Sequence, residues 1–247
     1  MAGAVETLGL EPGIIAVVGS GGKTSLLKLL GRQLVRAGER VVLTTTTHIL
    51  APSAAEGRLV LVGKRVPGVE FADKLRGPRP VWVAARARAG GKLRGLEPWQ
   101  VQGLAIGARW VVVEADGARG KPLKAWAEYE PALPEGTHTM VVVIGAWGLG
   151  RKLDEASVHR PELFAEAAGM ALGQKIGPDH VAKVVLGSRG PLRAMAPGTR
   201  VVAVVNHGGR PGAAARMLAE HLGKNRAIAR VVSGDLRVGG LEIAWRQ

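Results

Sequence analysis

No cysteine occurs among the 247 residues. That excludes disulfides, Cys-ligated zinc, iron–sulfur clusters and any thiol nucleophile or persulfide carrier on this chain. Aromatic residues are scarce, at 4%, and the six Trp do not interleave with a basic stripe. The pattern therefore lacks a stacking platform for nucleic-acid bases. No apolar run approaches the roughly 18 residues of a membrane span. Residues 1–6 carry neither a basic nor an apolar leader segment, so the expectation is a cytoplasmic protein with no signal peptide and no membrane partner. Acidic residues are also few: 20 Asp+Glu stand against 34 Lys+Arg, a net charge of +14. Such a balance points to an anionic partner, whether nucleic acid, nucleotide or phosphorylated cofactor. The basic residues are dispersed (Arg86, Arg88, Lys92, Arg94, then Arg189, Arg193, Arg200) rather than gathered in a block, which makes nucleic acid the weakest of the three.

What is present is 47% hydrophobic and rich in glycine, with 36 Gly. Short apolar runs at residues 14–18, 41–43, 59–66, 81–85, 110–113, 140–144, 201–205 and 228–232 read as strands, buried on both faces where they are continuous. Amphipathic or Pro-started stretches at 24–37, 99–106, 161–168, 179–185 and 213–222 read as helices. This alternation predicts an α/β fold: a doubly wound, mostly parallel sheet of P-loop NTPase type with helices on both faces. No repeat or linker divides the chain, so residues 1–247 are expected to form a single domain. Residues 86–94 and 131–137 read as loops within it.

Gly19-Ser20-Gly21-Gly22-Lys23-Thr24-Ser25 lies between the first strand and the first helix. Glycines let a backbone fold around phosphates, and the helix start adds the positive end of its dipole. Lys23 is placed to reach the β- and γ-phosphates, and the Thr24 hydroxyl to ligate Mg²⁺. The longer pattern G-x-x-x-x-G-K-[ST] needs Gly where Val17 stands. The loop is thus a short variant that resembles the one in Mur-type peptide ligases. A phosphate loop also needs a carboxylate at a neighbouring strand end. Glu114 and Asp116 both follow the strand at 110–113, and either could face the metal while the other orients water.

Thr44 to Thr47, ending the second strand, would lie beside the loop; Thr46 is the candidate contact to nucleotide. His48 follows and reads as a structural residue. Asp116 to Lys124 reads as a mobile basic loop offering Arg119, Lys121 and Lys124 to bound phosphate. Arg160, just ahead of a helix, suits an arginine finger, with His159 beside it. Asp154, Ser157 and Glu162 fit turn and helix-start chemistry. Asn206 ends a late strand, where the guanine-reading pattern Asn-Lys-x-Asp would continue, but the Asp position is Gly209. Selectivity between ATP and GTP stays open, leaning slightly to ATP.

Four blocks occur in order: the phosphate loop, Thr44-Thr45-Thr46-Thr47-His48, Glu114-Ala115-Asp116-Gly117-Ala118-Arg119-Gly120-Lys121-Pro122-Leu123-Lys124, and Leu153-Asp154-Glu155 leading to Val158-His159-Arg160-Pro161-Glu162-Leu163-Phe164. Together they resemble the YqeC proteins over roughly residues 10–210. That resemblance implies a P-loop NTPase-like accessory factor in maturation of a selenium-dependent molybdenum hydroxylase or its molybdenum cofactor, including installation of a labile selenium or sulfur ligand. Without cysteine the chain cannot carry such an atom itself, so a partner must supply it. Two other functions compete with this one: a P-loop kinase or ATP-dependent ligase acting on a small acid or phosphorylated pterin, and a basic nucleic-acid-binding protein with a vestigial loop.

Overall fold

A computed structural model describes residues 3–65, 72–73, 75–209 and 212–247. In chain order the elements are α1 (Ala4–Leu8), β1 (Gly13–Gly19), α2 (Lys23–Arg36), β2 (Val41–Thr45), β3 (His48–Leu50), β4 (Arg58–Leu61), β5 (Val81–Ala84), β6 (Arg86–Arg88), β7 (Lys92–Arg94) and α3 (Pro98–Gly107). There follow β8 (Trp110–Glu114), β9 (Leu123–Lys124), β10 (Thr137–Gly145), β11 (Val158–His159), α4 (Pro161–Ala168), α5 (Pro178–Leu186), β12 (Arg200–Asn206), α6 (Ala213–Gly223), β13 (Arg230–Asp235) and β14 (Gly240–Arg246). Nine strands form one sheet in the order β14-β13-β12-β10-β1-β8-β2-β5-β4. Every pairing in it is parallel except β13 with β14. Among the described residues no helix is long and apolar enough to cross a membrane.

Both faces of the central strands are covered, which is why they read as unbroken apolar runs. Along β1, Ile15 and Val17 pack towards α1 and α2, with Leu26, Leu27 and Leu30 fully buried. Ala16 and Val18 face the other way, onto the layer of α4, α5 and α6 through Phe164, Val184 and Leu218. The α3 side chains Val101 and Leu104 cover Val42, Val83 and Val111 of the neighbouring strands. Burial of each such side chain contributes about 1.5–3 kcal/mol, which holds β1 rigidly at mid-sheet.

The α/β, mostly parallel architecture is the one the alternation predicts. The stretch 86–94 is a correction: it forms the β6–β7 hairpin, which with β3 makes a separate three-stranded sheet in the order β3-β7-β6. Only Leu93 and Ile49 of that sheet are buried, so it lacks the apolar signature of a strand. The strand expected over 59–66 is Arg58–Leu61; Val66 lies outside the described residues. Strand β14 had no counterpart in the apolar runs, because its side chains are mostly exposed.

Candidate phosphate-loop site

The turn from β1 into α2 is forced by the neighbouring strand. Gly19 and Gly21 have φ of +97° and +69°. A Cβ on Gly19 would lie 2.2 Å from the Val143 carbonyl oxygen, and one on Gly21 would lie 2.4 Å from Gly145 Cα. No other residue fits at either position. The Gly19 N–H donates to Asp116 Oδ2 at 2.9 Å, and the Ser20 N–H to the Val143 carbonyl at 2.8 Å. Ser20 Oγ donates to the Pro122 carbonyl at 2.8 Å and is buried. Ser20 is therefore a strut of the loop, both its donors being spent on the protein. The open donors are the first-turn amides of α2, where Gly21, Gly22, Lys23, Thr24 and Ser25 line a cavity.

Two carboxylates lie under this turn. Lys23 Nζ donates to the Gly19 carbonyl at 2.7 Å and sits 3.2 Å from Asp116 Oδ1 and 3.7 Å from Glu114 Oε1. Burial opposes the Lys23 charge, but Asp116 and Glu114 outweigh it and hold its pKa above the ordinary value. Thr24 Oγ1 donates to Glu114 Oε2 at 2.8 Å. Burial pushes the Glu114 carboxyl up, against the pull of Lys23. Asp116 behaves oppositely: burial is overcome by Lys23 and Lys124, and its carboxyl is held below the usual range. It is fully buried, accepts from Trp126 Nε1 at 2.7 Å, and is absent from the cavity lining, whereas Glu114 is part of it. Asp116 lies beyond the end of β8, where the strand pleat no longer sets its direction, and here Glu114 is the acid beside Thr24 while Asp116 anchors the loop from beneath.

The basic stretch 119–124 divides. Arg119 and Lys121 line the cavity. Lys124 does not; its ammonium is fully buried, 3.0 Å from Asp116 Oδ2 and 3.0 Å from Glu130 Oε2, and donates to the Gly117 carbonyl at 2.6 Å. Burial lowers its pKa against the pull of Asp116 and Glu130. This corrects its reading as a phosphate clamp. The register of β9 with β11 sets Lys124 beside His159. Glu130 also takes Arg160 Nη1, while Arg160 Nη2 donates to the Tyr129 hydroxyl at 3.2 Å. A buried ladder of alternating charge thus runs Lys23–Asp116–Lys124–Glu130–Arg160. Glu130, one of several acids between residues 128 and 135, carried no signal in the sequence that set it apart.

Half-buried His159 titrates at about 4, lowered by burial and then by Arg160 and Lys124. It is neutral at pH 7. Between its ordinary 6.5 and about 4 the unfolded chain binds a proton that the fold refuses, so stability falls as pH falls through that window. His159→Gln should flatten this part of the profile. Urea midpoints at pH 7 and pH 5 check it: wild type should lose more than the variant, and parallel losses would refute the assignment.

Thr44 and Thr45 are structural, donating to the Val83 and Glu114 carbonyls at 2.7 Å each. Thr46 and Thr47 line the cavity; Thr46 Oγ1 donates to the Ala132 carbonyl at 3.0 Å. Asn206 is a clamp, its Nδ2 donating to the Gly21 carbonyl at 2.7 Å and its Oδ1 accepting from the Leu236 N–H at 3.0 Å. His159, Arg160 and Asn206 all reach the same cavity, which has a volume of about 1820 Å³. The sequence did not single out Trp147, Tyr129, Asp235 or Arg237, which also line it; Asp235 ends β13 and the others lie on the connections between elements, whose approach only the sheet order decides. Among the described residues no group of three or more His, Asp or Glu is placed to hold a metal ion by itself.

A parallel strand running through a glycine turn into the helix that carries Lys23 and Thr24, with an acid at the adjacent strand end, defines an α/β protein of P-loop type. Comparison with known proteins then places it. The chain matches the YqeC protein family over residues 15–162. It is 32% identical over 198 residues to the uncharacterized protein YqeC of Escherichia coli (strain K12), covering 79% of this chain and 76% of that protein. The chain belongs to the YqeC family. Among solved structures, the 54 kDa signal recognition particle protein of Aeropyrum pernix K1, in complex with GDP, is similar at 15% identity with a TM-score of 0.37. That match takes in 95% of this chain, which spans 44% of the other.

Proposed function

We propose that this chain is a Mg²⁺-dependent nucleotide-binding protein that hydrolyses ATP or GTP, acting as an accessory factor in maturation of a selenium-dependent molybdenum hydroxylase or its cofactor. The observation that carries the nucleotide reading is the pairing of Lys23 and Thr24 with Glu114 at the floor of a large cavity, at the N-terminus of α2. Lys23 and the first-turn amides would hold the phosphates. Magnesium takes hard oxygen donors and is held by one or two protein groups plus phosphates and water. Thr24 Oγ1 and the Glu114 carboxylate, 2.8 Å apart, fit that habit. The ion would supply neutralisation of phosphate charge. Arg119 and Lys121 add cations at the rim, and Arg160 would serve the phosphates after leaving Glu130. The hydroxylase step is supported by the family's association alone.

Phosphoryl transfer to an acceptor is the second reading, favoured by a cavity larger than a nucleotide fills. Calorimetric titration with non-hydrolysable ATP and GTP analogues, with and without Mg²⁺, tests the first. Binding of one analogue should require Mg²⁺ in wild type and lose that dependence in Thr24→Val. Failure of both analogues to bind would overturn the reading.

A further inference from the structure

We propose that the outward face of the β3-β7-β6 sheet is a second anion site, taking a phosphorylated small molecule beside the nucleotide. The inference rests on the nucleotide reading only for which part of the cavity is left free. At about 1820 Å³ the cavity exceeds the roughly 300–1,000 Å³ that one small ligand usually fills. The phosphate loop opens at mid-sheet, with β10, β12 and β13 on one side and β8 and β2 on the other. A nucleotide extending from it occupies one side. On the first side lie Asn206, Asp235 and Arg237, and the cation is neutralised by Asp235 at 3.0 Å. On the second lie His48, Leu50, Arg88 and Lys92.

Strand alternation puts the buried Ile49 and Leu93 on one face of the small sheet, and His48, Leu50, Arg86, Arg88, Lys92 and Arg94 on the other. Within that face Arg86 stands directly opposite Arg94, and Arg88 directly opposite Lys92. Like charges directly opposed on a sheet are destabilising. Arg94 is relieved by Glu97 at 2.9 Å. Arg88 donates to or shares with His48 Nε2 at 2.9 Å, and among the described residues neither Arg88 nor Lys92 has an ion-pair partner. The repulsion is therefore maintained at the edge of the cavity, where an anion would relieve it. A ligand with phosphate charge and a short apolar segment against Leu50 matches this wall. The face carries no Phe, Tyr or Trp; its single ring is the His48 imidazole, engaged with Arg88 at 2.9 Å, which makes a poor platform for stacking nucleic-acid bases.

The probe is inorganic pyrophosphate, titrated by calorimetry into protein already saturated with Mg²⁺ and the non-hydrolysable analogue. Wild type should show one saturable site. Arg88→Ala/Lys92→Ala should weaken it by roughly 10-fold or more, with nucleotide affinity unchanged, and Lys224→Ala/Arg226→Ala should leave it intact. Without anion, the double variant should melt no lower than wild type, and it should lose the pyrophosphate-induced rise in melting temperature. Exclusion of pyrophosphate by the analogue, or equal affinity in the double variant, overturns the site. Tighter binding of a single-stranded oligonucleotide at the same residues overturns the small-molecule assignment. Should the analogue itself fail to bind, the nucleotide reading fails separately. The same comparison on unliganded protein then decides the site, as does Arg88→Gln where the double variant does not fold.

Discussion

Alanine at position 23 is expected to weaken binding of the Mg²⁺–nucleotide analogue by roughly 100-fold, the scale of one or two charge-assisted hydrogen bonds lost to phosphate, while the fold survives. Among the described residues the Lys23 ammonium has polar partners only in its own loop, at the Gly19 carbonyl, and in the two acids, Asp116 at 3.2 Å and Glu114 at 3.7 Å. With the ammonium gone, Asp116 keeps Lys124 at 3.0 Å, the Gly19 N–H and the Trp126 indole. Glu114, already pushed up by burial, would take up a proton, so no bare charge is left inside. Calorimetry for affinity and circular dichroism melting for the fold separate the two effects. Undiminished affinity in a folded Lys23→Ala protein would end the nucleotide proposal.

Lys124→Met should have the opposite signature, a loss of stability. Lys124 is fully buried between Asp116 and Glu130, and removing one partner of a buried ion pair costs about 3–5 kcal/mol because the other charge stays behind. The neighbouring Lys121→Met, at the cavity rim, should change stability by no more than about 0.5 kcal/mol. Urea denaturation of both variants measures the contrast. Equal, small changes would mean that the charge ladder from Lys23 to Arg160 does not hold the loop 116–130 in place. The ladder also bears on Arg160: in this arrangement its guanidinium is held by Glu130 and Tyr129, so an arginine-finger role requires that hold to be released.

Much of the architecture was legible because the signals are local. The strands at β1, β8, β10 and β12 are buried on both faces, which demands uninterrupted Val and Ile. The helices α2, α4, α5 and α6 each show a single apolar stripe. The glycines, Lys23 and Thr24 likewise lie in one contiguous segment, where strand, turn and helix start can be recognised together. The β6–β7 hairpin was not legible, since a sheet that buries only Leu93 and Ile49 and presents four cations to solvent has the composition of a loop. The edge strand β14 escaped for the same reason.

The division of labour between similar residues was a different matter. Glu114 and Asp116 are both acids after a strand, and Lys121 and Lys124 are both lysines in a Gly-rich stretch. Which member of each pair is buried depends on Glu130, Trp126 and the pairing of β9 with β11, brought from elsewhere in the chain. Periodicity and motif spacing set the α/β layers and the place of the phosphate loop, because backbone geometry and side-chain burial along one segment suffice for both. Tertiary packing alone made Asp116 and Lys124 internal struts, left Glu114 beside Thr24, and set Arg88 and Lys92 of the small sheet at the cavity wall, because burial and charge pairing depend on neighbours that sequence distance does not reveal.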